Sequence, residues 1–289
     1  TQERKKALTE ILNEIMPDIV IFAGVANSEA LKILKGILEG ADFAEMIEGS
    51  DKQKHLAIVS KIKPEKFIGL TDLKYKIKDH ELTVERGFIH SIFRIDNYQL
   101  HLIGAHLRSR DKHPKLNQTD IRRYEARLLR YFVTDLIKEN NDNNIIILGN
   151  LNDTCGMAPI KEIYNRRFDI IKKMYDIRPI DSFRTSWTSW NESNDDYERI
   201  DYAIGTSSLL AEIKREKTYI CENRKWEEIS NHRPIVVTIS CTDIERWDKD
   251  TIEKNYPNAI YEGKAKHFEE DKHIGDKPKR NPPGSQNKN

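Results

Sequence analysis

Ile145-Ile146-Ile147-Leu148-Gly149-Asn150-Leu151-Asn152-Asp153 is the stretch that decides the fold of this chain. Four apolar residues read as a buried strand, and Gly149 with a polar cluster ends it abruptly. An α/β protein presents its chemistry in this way, at the carboxyl edge of a sheet. Upstream, residues 87–95 and 98–106 read as two strands around an Asp96-Asn97 turn. Between them and the Gly149 strand, Ile121, Tyr124, Leu128, Leu129, Phe132 and Leu136 make the apolar stripe of a long helix through Ile137, which Asp120 is placed to cap.

The rest of the chain alternates in the same manner. Ala7, Leu8, Ile11, Leu12, Ile15 and Met16 recur at helical spacing until Pro17 stops them. A short strand over 18–25 follows, and then a helix capped at Ser28 with Leu31, Leu34, Ile37 and Leu38 inside. Residues 55–60, 200–205 and 234–240 read as further strands. Alternating helices and strands with several adjacent strands argue a mixed α/β domain. From about Thr242 apolar residues thin out, and the chain divides into a domain over 1–241 and a charged segment over 242–289, whose end (272–289) reads as disordered.

Composition narrows the function classes. The net charge is +1, without the basic excess of a dedicated nucleic-acid binder, although a local basic face is compatible with it. The three cysteines, Cys155, Cys221 and Cys241, have no CxxC spacing and suggest neither a disulfide framework nor a zinc site. No apolar run approaches the ~20 residues of a membrane span. The chain starts at Thr1 inside a helical pattern, so a preceding segment, a signal peptide among the options, is expected.

Read beside Arg199-Ile200-Asp201-Tyr202 and Ser230-Asn231-His232-Arg233-Pro234, the Gly149 motif resembles the endonuclease/exonuclease/phosphatase superfamily, with its deoxyribonuclease I-like fold. The family writes these motifs Gly-Asp-Phe/Leu-Asn-Asp, Arg-Ile-Asp-Tyr and Ser-Asp-His-Arg-Pro. The resemblance covers roughly residues 4–240 and implies a two-sheet β-sandwich flanked by helices. It also implies a first strand ahead of Thr1, whose lack would leave a long sheet edge bare. The implied activity is metal-dependent phosphodiester hydrolysis, with Mg²⁺ or Mn²⁺ as cofactor and nucleic acid among the substrates.

By the same resemblance, His106, Asn152, Asp201 and His232 match the residues that hold the phosphate and handle charge around it. Asn150 stands where the family has the aspartate that prepares the attacking water. Gly24 stands at the principal metal carboxylate, since Gln-Glu-Val is here Ala23-Gly24-Val25, and Asn231 replaces a second supporting aspartate. An amide has no basicity at neutral pH and brings no charge to a metal. Asp153 and Glu29 are the carboxylates near enough in sequence to compensate. Arg108 and Arg110 after His106, and Arg123 on the long helix, are candidate phosphate contacts. Trp187 and Trp190 are candidate stacking residues, with core packing as the alternative.

These residues leave three readings open. One is a phosphodiesterase of weak or lost activity. Another is a non-catalytic module that binds a phosphate-containing ligand, nucleic acid or a protein. The third is an inert domain with a decayed pocket, against which the intact Asp201–His232 pair weighs.

Overall fold

In chain order the elements begin α1 (Gln2–Ile15), β1 (Ile19–Val25), α2 (Ser28–Ile37), β2 (Phe43–Ile47), β3 (His55–Ser60), β4 (Lys66–Leu70), β5 (Lys74–Ile77), β6 (His80–Thr83), β7 (Phe88–Ile95) and β8 (Tyr98–His106). They continue α3 (Gln118–Glu139), β9 (Asn144–Asn150), α4 (Ala158–Tyr164), β10 (Met174–Asp176), β11 (Ser189–Asn191), β12 (Asp196–Glu198), β13 (Asp201–Thr206), α5 (Ser207–Leu210), β14 (Tyr219–Ile220), β15 (Ile235–Val236) and α6 (Lys249–Asn255). This computed structural model describes residues 1–164 and 174–256. The expected disorder over 272–289 lies outside the described residues.

Two sheets face each other. The smaller has the order β1-β3-β2 and the larger β10-β13-β9-β8-β7-β4. β8 and β9 run parallel, so their connection must cross over a sheet face, and α3 is that crossover. Alternation along β8 sorts its side chains. Leu100 and Leu102 join Leu56, Ile58, Ile89, Phe93, Ile146 and Ala203 between the sheets. Ile103 and Ala105 point the other way, under Ile121, Leu129 and Val133 of α3 and Ile160 and Ile163 of α4. On the opposite outer face, Leu12 of α1 and Ile37 of α2 pack over Val59 of β3. The structure is thus the sandwich with helices on both outer faces that the motifs imply.

Several local expectations shift. α2 is capped by Asn27, whose Oδ1 accepts from the Ala30 N–H (2.9 Å), rather than by Ser28. α3 begins ahead of Asp120, with Asn117 Oδ1 accepting from the Thr119 N–H (2.8 Å); Asp120 sits in the first turn, where its charge suits the helix dipole. The strand expected over 234–240 pairs as a strand only at β15. Beyond it, Val237 and Ile239 line a cavity of about 1870 Å³, with Ile19 and Ile21 also in its wall. Among the described residues β1 pairs only with β3, so its outer edge is bare. Packing also continues beyond the composition change at Thr242. Asp248 caps α6, Ile252 and Tyr256 are buried in the inter-sheet core, and Tyr256 Oη donates to the Leu210 carbonyl (3.3 Å).

A pair of histidines is buried on the α3 side of the larger sheet. His90 Nε2 and His101 Nδ1 lie 3.1 Å apart, and the His90 ring meets Phe132 edge-on at 5.1 Å. The outer nitrogens, His90 Nδ1 and His101 Nε2, have no hydrogen-bond partner. Burial disfavours the charged form of both rings; for His90, with its neighbours His101 and Lys66 adding to it, the pKa is pushed down to about 4.

The sign of the resulting pH dependence follows from linkage. The unfolded chain binds the proton first as pH falls, so the stability these neutral rings contribute is present above ~6.5 and is lost as pH drops toward 4. Urea unfolding at pH 7 and pH 4.5 should show a loss of roughly 2–3 kcal/mol from this source. A variant with His90→Gln and His101→Gln should have a correspondingly flatter profile; an unchanged profile would refute the assignment. Separately, Ile252→Ala should destabilise the whole domain by roughly 2–4 kcal/mol in the same assay, whereas a solvated tail would show no effect.

Candidate active site at the carboxyl edge of the larger sheet

The site is built on strand register. His106 at the end of β8 pairs with Asn150 at the end of β9, and Asn150 pairs with Asp201 at the start of β13. Adjacent strands lie ~4.8 Å apart, so the three side chains stand in one row. They share the face of Leu102, Ile146 and Ala203, and the row therefore opens toward the space between the sheets. Gly149 permits this arrangement. Its φ is +146°, and a Cβ there would fall 1.9 Å from the Ala105 carbonyl oxygen, so no side chain fits.

Asp201 is joined by the segment that follows Ser230. His232 Nδ1 lies 2.7 Å from Asp201 Oδ2, which fixes the imidazole with Nδ1–H donating to the carboxylate. Burial opposes a charge on His232, but the Asp201 hydrogen bond and charge outweigh it, and the pKa lies above the ordinary value. The adjacent Arg233 anchors the segment. Its guanidinium pairs with buried Asp181 (3.0 Å), donates to the Cys221 carbonyl (3.2 Å) and lies 4.1 Å from the Trp187 ring centroid. Trp187 is thereby part of a packed cluster with Trp226 rather than a free stacking surface. Trp190 does line the cavity, with its Nε1 donating to Asp195 (3.1 Å).

His106 has the opposite character from His232. Burial, followed by the charges of Arg86, His232 and Lys54, pushes its pKa down to about 3. The site thus combines one histidine that favours the cation with one held neutral.

The two asparagines of the β9 motif hold each other. Asn150 Oδ1 accepts from the Asn152 backbone N–H (2.8 Å), and Asn152 Nδ2 donates to the Leu107 carbonyl (2.8 Å). Asn152 sits at φ +53°, a conformation that asparagine tolerates better than most residues. Asn150, which also lines the cavity, thus brings an uncharged amide to the row.

The residues present do not fit a hard divalent cation, which takes oxygen ligands with carboxylates prominent among them. Gly24 has no side chain and lies at φ +93°, where the β1–β3 register shifts between Ala23 and Val25. Asn231 is exposed, and its carbonyl accepts from the Trp190 N–H (2.9 Å). Neither compensating carboxylate reaches the row. Asp153 is buried against Arg122 (2.9 Å), and Glu29 is an exposed residue of α2 beside Lys32 (3.7 Å). Among the described residues no three His, Cys, Asp or Glu side chains converge on a point where a metal could be held.

Each candidate phosphate-binding arginine has a carboxylate partner. Arg108 pairs with Glu85 (2.5 Å), and Arg123 faces Glu162 of α4 (3.4 Å). Arg110 stays at the rim, bonded to the Asn152 carbonyl (2.9 Å) and to Glu198 (2.7 Å). The structure instead brings Lys54 and Ser109 to the cavity wall beside His106. No motif marks Lys54, which precedes a strand without any special spacing.

Comparison with known proteins agrees with this fold. The truncated Caenorhabditis elegans TDP2 structure covers 82% of this chain and 90% of its own at 17% identity, with a TM-score of 0.59. An endonuclease/exonuclease/phosphatase from Bacteroides vulgatus covers 82% and 91% at 14% identity, with a TM-score of 0.60. Beta toxin 275-280 from Staphylococcus aureus covers 82% and 91% at 17% identity, with a TM-score of 0.57. These likenesses are of fold. No curated protein matches the sequence. The model of the Endonuclease/Exonuclease/phosphatase family matches residues 1–232, and with its motifs in order along two facing sheets the chain belongs to that family.

Proposed function

We propose that this chain is a phosphodiester-hydrolase scaffold whose own hydrolysis is weak or lost, and that its cavity retains the capacity to hold a phosphate-containing ligand. The observation that carries the reading is the centre of the row: Asn150, between His106 and Asp201, is an amide where a base is needed, and its Oδ1 already accepts from the Asn152 N–H. Hydrolysis requires a group that orients or deprotonates water, charge stabilisation at phosphorus and help for the leaving oxygen. The Asp201–His232 pair can stabilise developing negative charge. Asn150 cannot take a proton from water. Loss of a general base alone costs ~10²–10⁴ in rate. The Mg²⁺ or Mn²⁺ used by the family would supply further charge, but the donor set at Gly24, Asn150 and Asn231 does not fit it. These losses do not add simply, because the groups act as a unit.

A second reading on the same residues is a binding module with no catalytic task, for a phosphate-bearing ligand with nucleic acid among the candidates. It is favoured by the donors that remain, His106, Asn150 and His232, and by the buried pairs Arg122–Asp153 and Arg233–Asp181 that keep the frame of the site intact.

Turnover of plasmid DNA and of bis(4-nitrophenyl) phosphate, with Mg²⁺ and with Mn²⁺, tests the first reading. The unmodified chain should fall well below ~1 per second, the lower range of ordinary enzymes; turnover at or above that would sink it. The variant Asn150→Asp, Asn231→Asp, Gly24→Glu should gain at least about 10². Open space surrounds Gly24, but its positive φ makes a glutamate there cost roughly 1–3 kcal/mol, so the melting temperature of the variant should fall.

A further inference from the structure

Lys54 stands apart from the sequence motifs, yet it lines the same cavity as His106, Asn150, Asn152, Asp201 and His232. Its backbone is fixed. Asp51 Oδ1 accepts from the N–H groups of Gln53 (2.8 Å) and Lys54 (3.2 Å), making a turn directly ahead of β3. Asp51 Oδ2 is held by Arg86 through Nε (3.1 Å) and through a terminal nitrogen (3.0 Å). Arg86, almost fully buried, also donates to the Leu107 carbonyl (2.9 Å), the oxygen to which Asn152 Nδ2 donates. One chain of hydrogen bonds therefore runs from the Lys54 turn through Asp51, Arg86, Leu107 and Asn152 to Asn150.

The charges that act on His106 at this end of the cavity are mainly positive, from Arg86, His232 and Lys54, and the opposing carboxylate, Asp51, is already paired with Arg86. Lys54 is exposed, and its ammonium has no carboxylate partner among the described residues. The carboxylate in the row, Asp201, is already bonded to His232. The cavity's other carboxylates, Asp18, Glu192, Glu227 and Glu228, are contributed by separate elements. An unpaired ammonium on the wall of a cavity that also holds amide and imidazole groups suits a tetrahedral oxyanion and disfavours a cation.

We propose that this end of the cavity binds a phosphate group directly, without a divalent cation, with Lys54 supplying the positive charge and Asn150 and His232 donating hydrogen bonds. The inference rests on the reading that the metal-dependent activity is weak or lost. It deepens that reading by naming what stands in place of the metal charge. The ligand is a phosphate monoanion or dianion, free or at a chain end, or the internal phosphate of a diester; the shared chemistry is the oxyanion.

Calorimetric titration of the full chain with inorganic phosphate and with dimethyl phosphate, in EDTA and again in Mg²⁺, tests it. Saturable binding in EDTA that changes less than about twofold in Mg²⁺ is the expected result. Lys54→Ala should weaken it at least about tenfold, Lys54→Arg should restore most of it, and Lys52→Ala, an exposed neighbour outside the cavity, should leave it unchanged. Preference for inorganic phosphate would identify a terminal phosphate as ligand, and preference for dimethyl phosphate an internal one; both sustain the site. No binding in EDTA, a requirement for Mg²⁺, or equal losses in Lys52→Ala and Lys54→Ala would overturn it. Turnover by the unmodified chain would sink the reading of lost hydrolysis on its own, because binding is read in EDTA, where no metal-dependent turnover occurs.

Discussion

The close parallel approach of β8 and β9 is the constraint on which the rest of the site depends. Gly149 lets the two strands meet where any side chain would strike the Ala105 carbonyl. With that approach made, His106 and Asn150 end their strands at the same level, and β13 brings Asp201 level with both. The crossover that parallel pairing demands is α3, and its apolar stripe covers the outer face of the sheet. Sheet geometry, rather than any flexible loop, therefore sets the spacing of the polar row.

Around the row the frame is heavily fixed. Arg122–Asp153, Arg233–Asp181 and Arg199–Asp176 are ion pairs buried to different degrees, with distances of 2.9, 3.0 and 2.6 Å. Such pairs add little net stability, but each would be costly to break from one side, which favours a single geometry. At the centre of the row stands an uncharged amide, Asn150. Asn150 Oδ1 accepts the Asn152 N–H, a bond that a carboxylate oxygen could accept equally well. Gly24 differs in kind, because its positive φ belongs to a shifted register and the backbone itself departs from a regular strand there.

Much of this was legible in the sequence, for identifiable reasons. The β9 motif, the Asp201 strand and the segment at His232 each join an apolar run to a few polar residues at its end, and such junctions are local. The two-sheet sandwich follows once their order is recognised. β2, β4, β5 and β6 escaped because they are short and mix charged with apolar residues, as in Lys66–Leu70. The helix starts slipped by one to three residues, since Asn27 and Asn117 cap as well as the residues expected. The carboxylate partners of Arg108 and Arg123, Glu85 and Glu162, lie far away in sequence, and no local pattern announces them. Lys54 carried no signal at all; only the folded chain puts it beside His106.

The most direct test of the central claim, that the residues of this site do not hold a divalent cation, is Mn²⁺ binding followed by electron paramagnetic resonance. The unmodified chain should leave the spectrum of free Mn²⁺ unaltered at millimolar metal. Stoichiometric Mn²⁺ displaced by Mg²⁺ and lost in Asn150→Ala would contradict the claim.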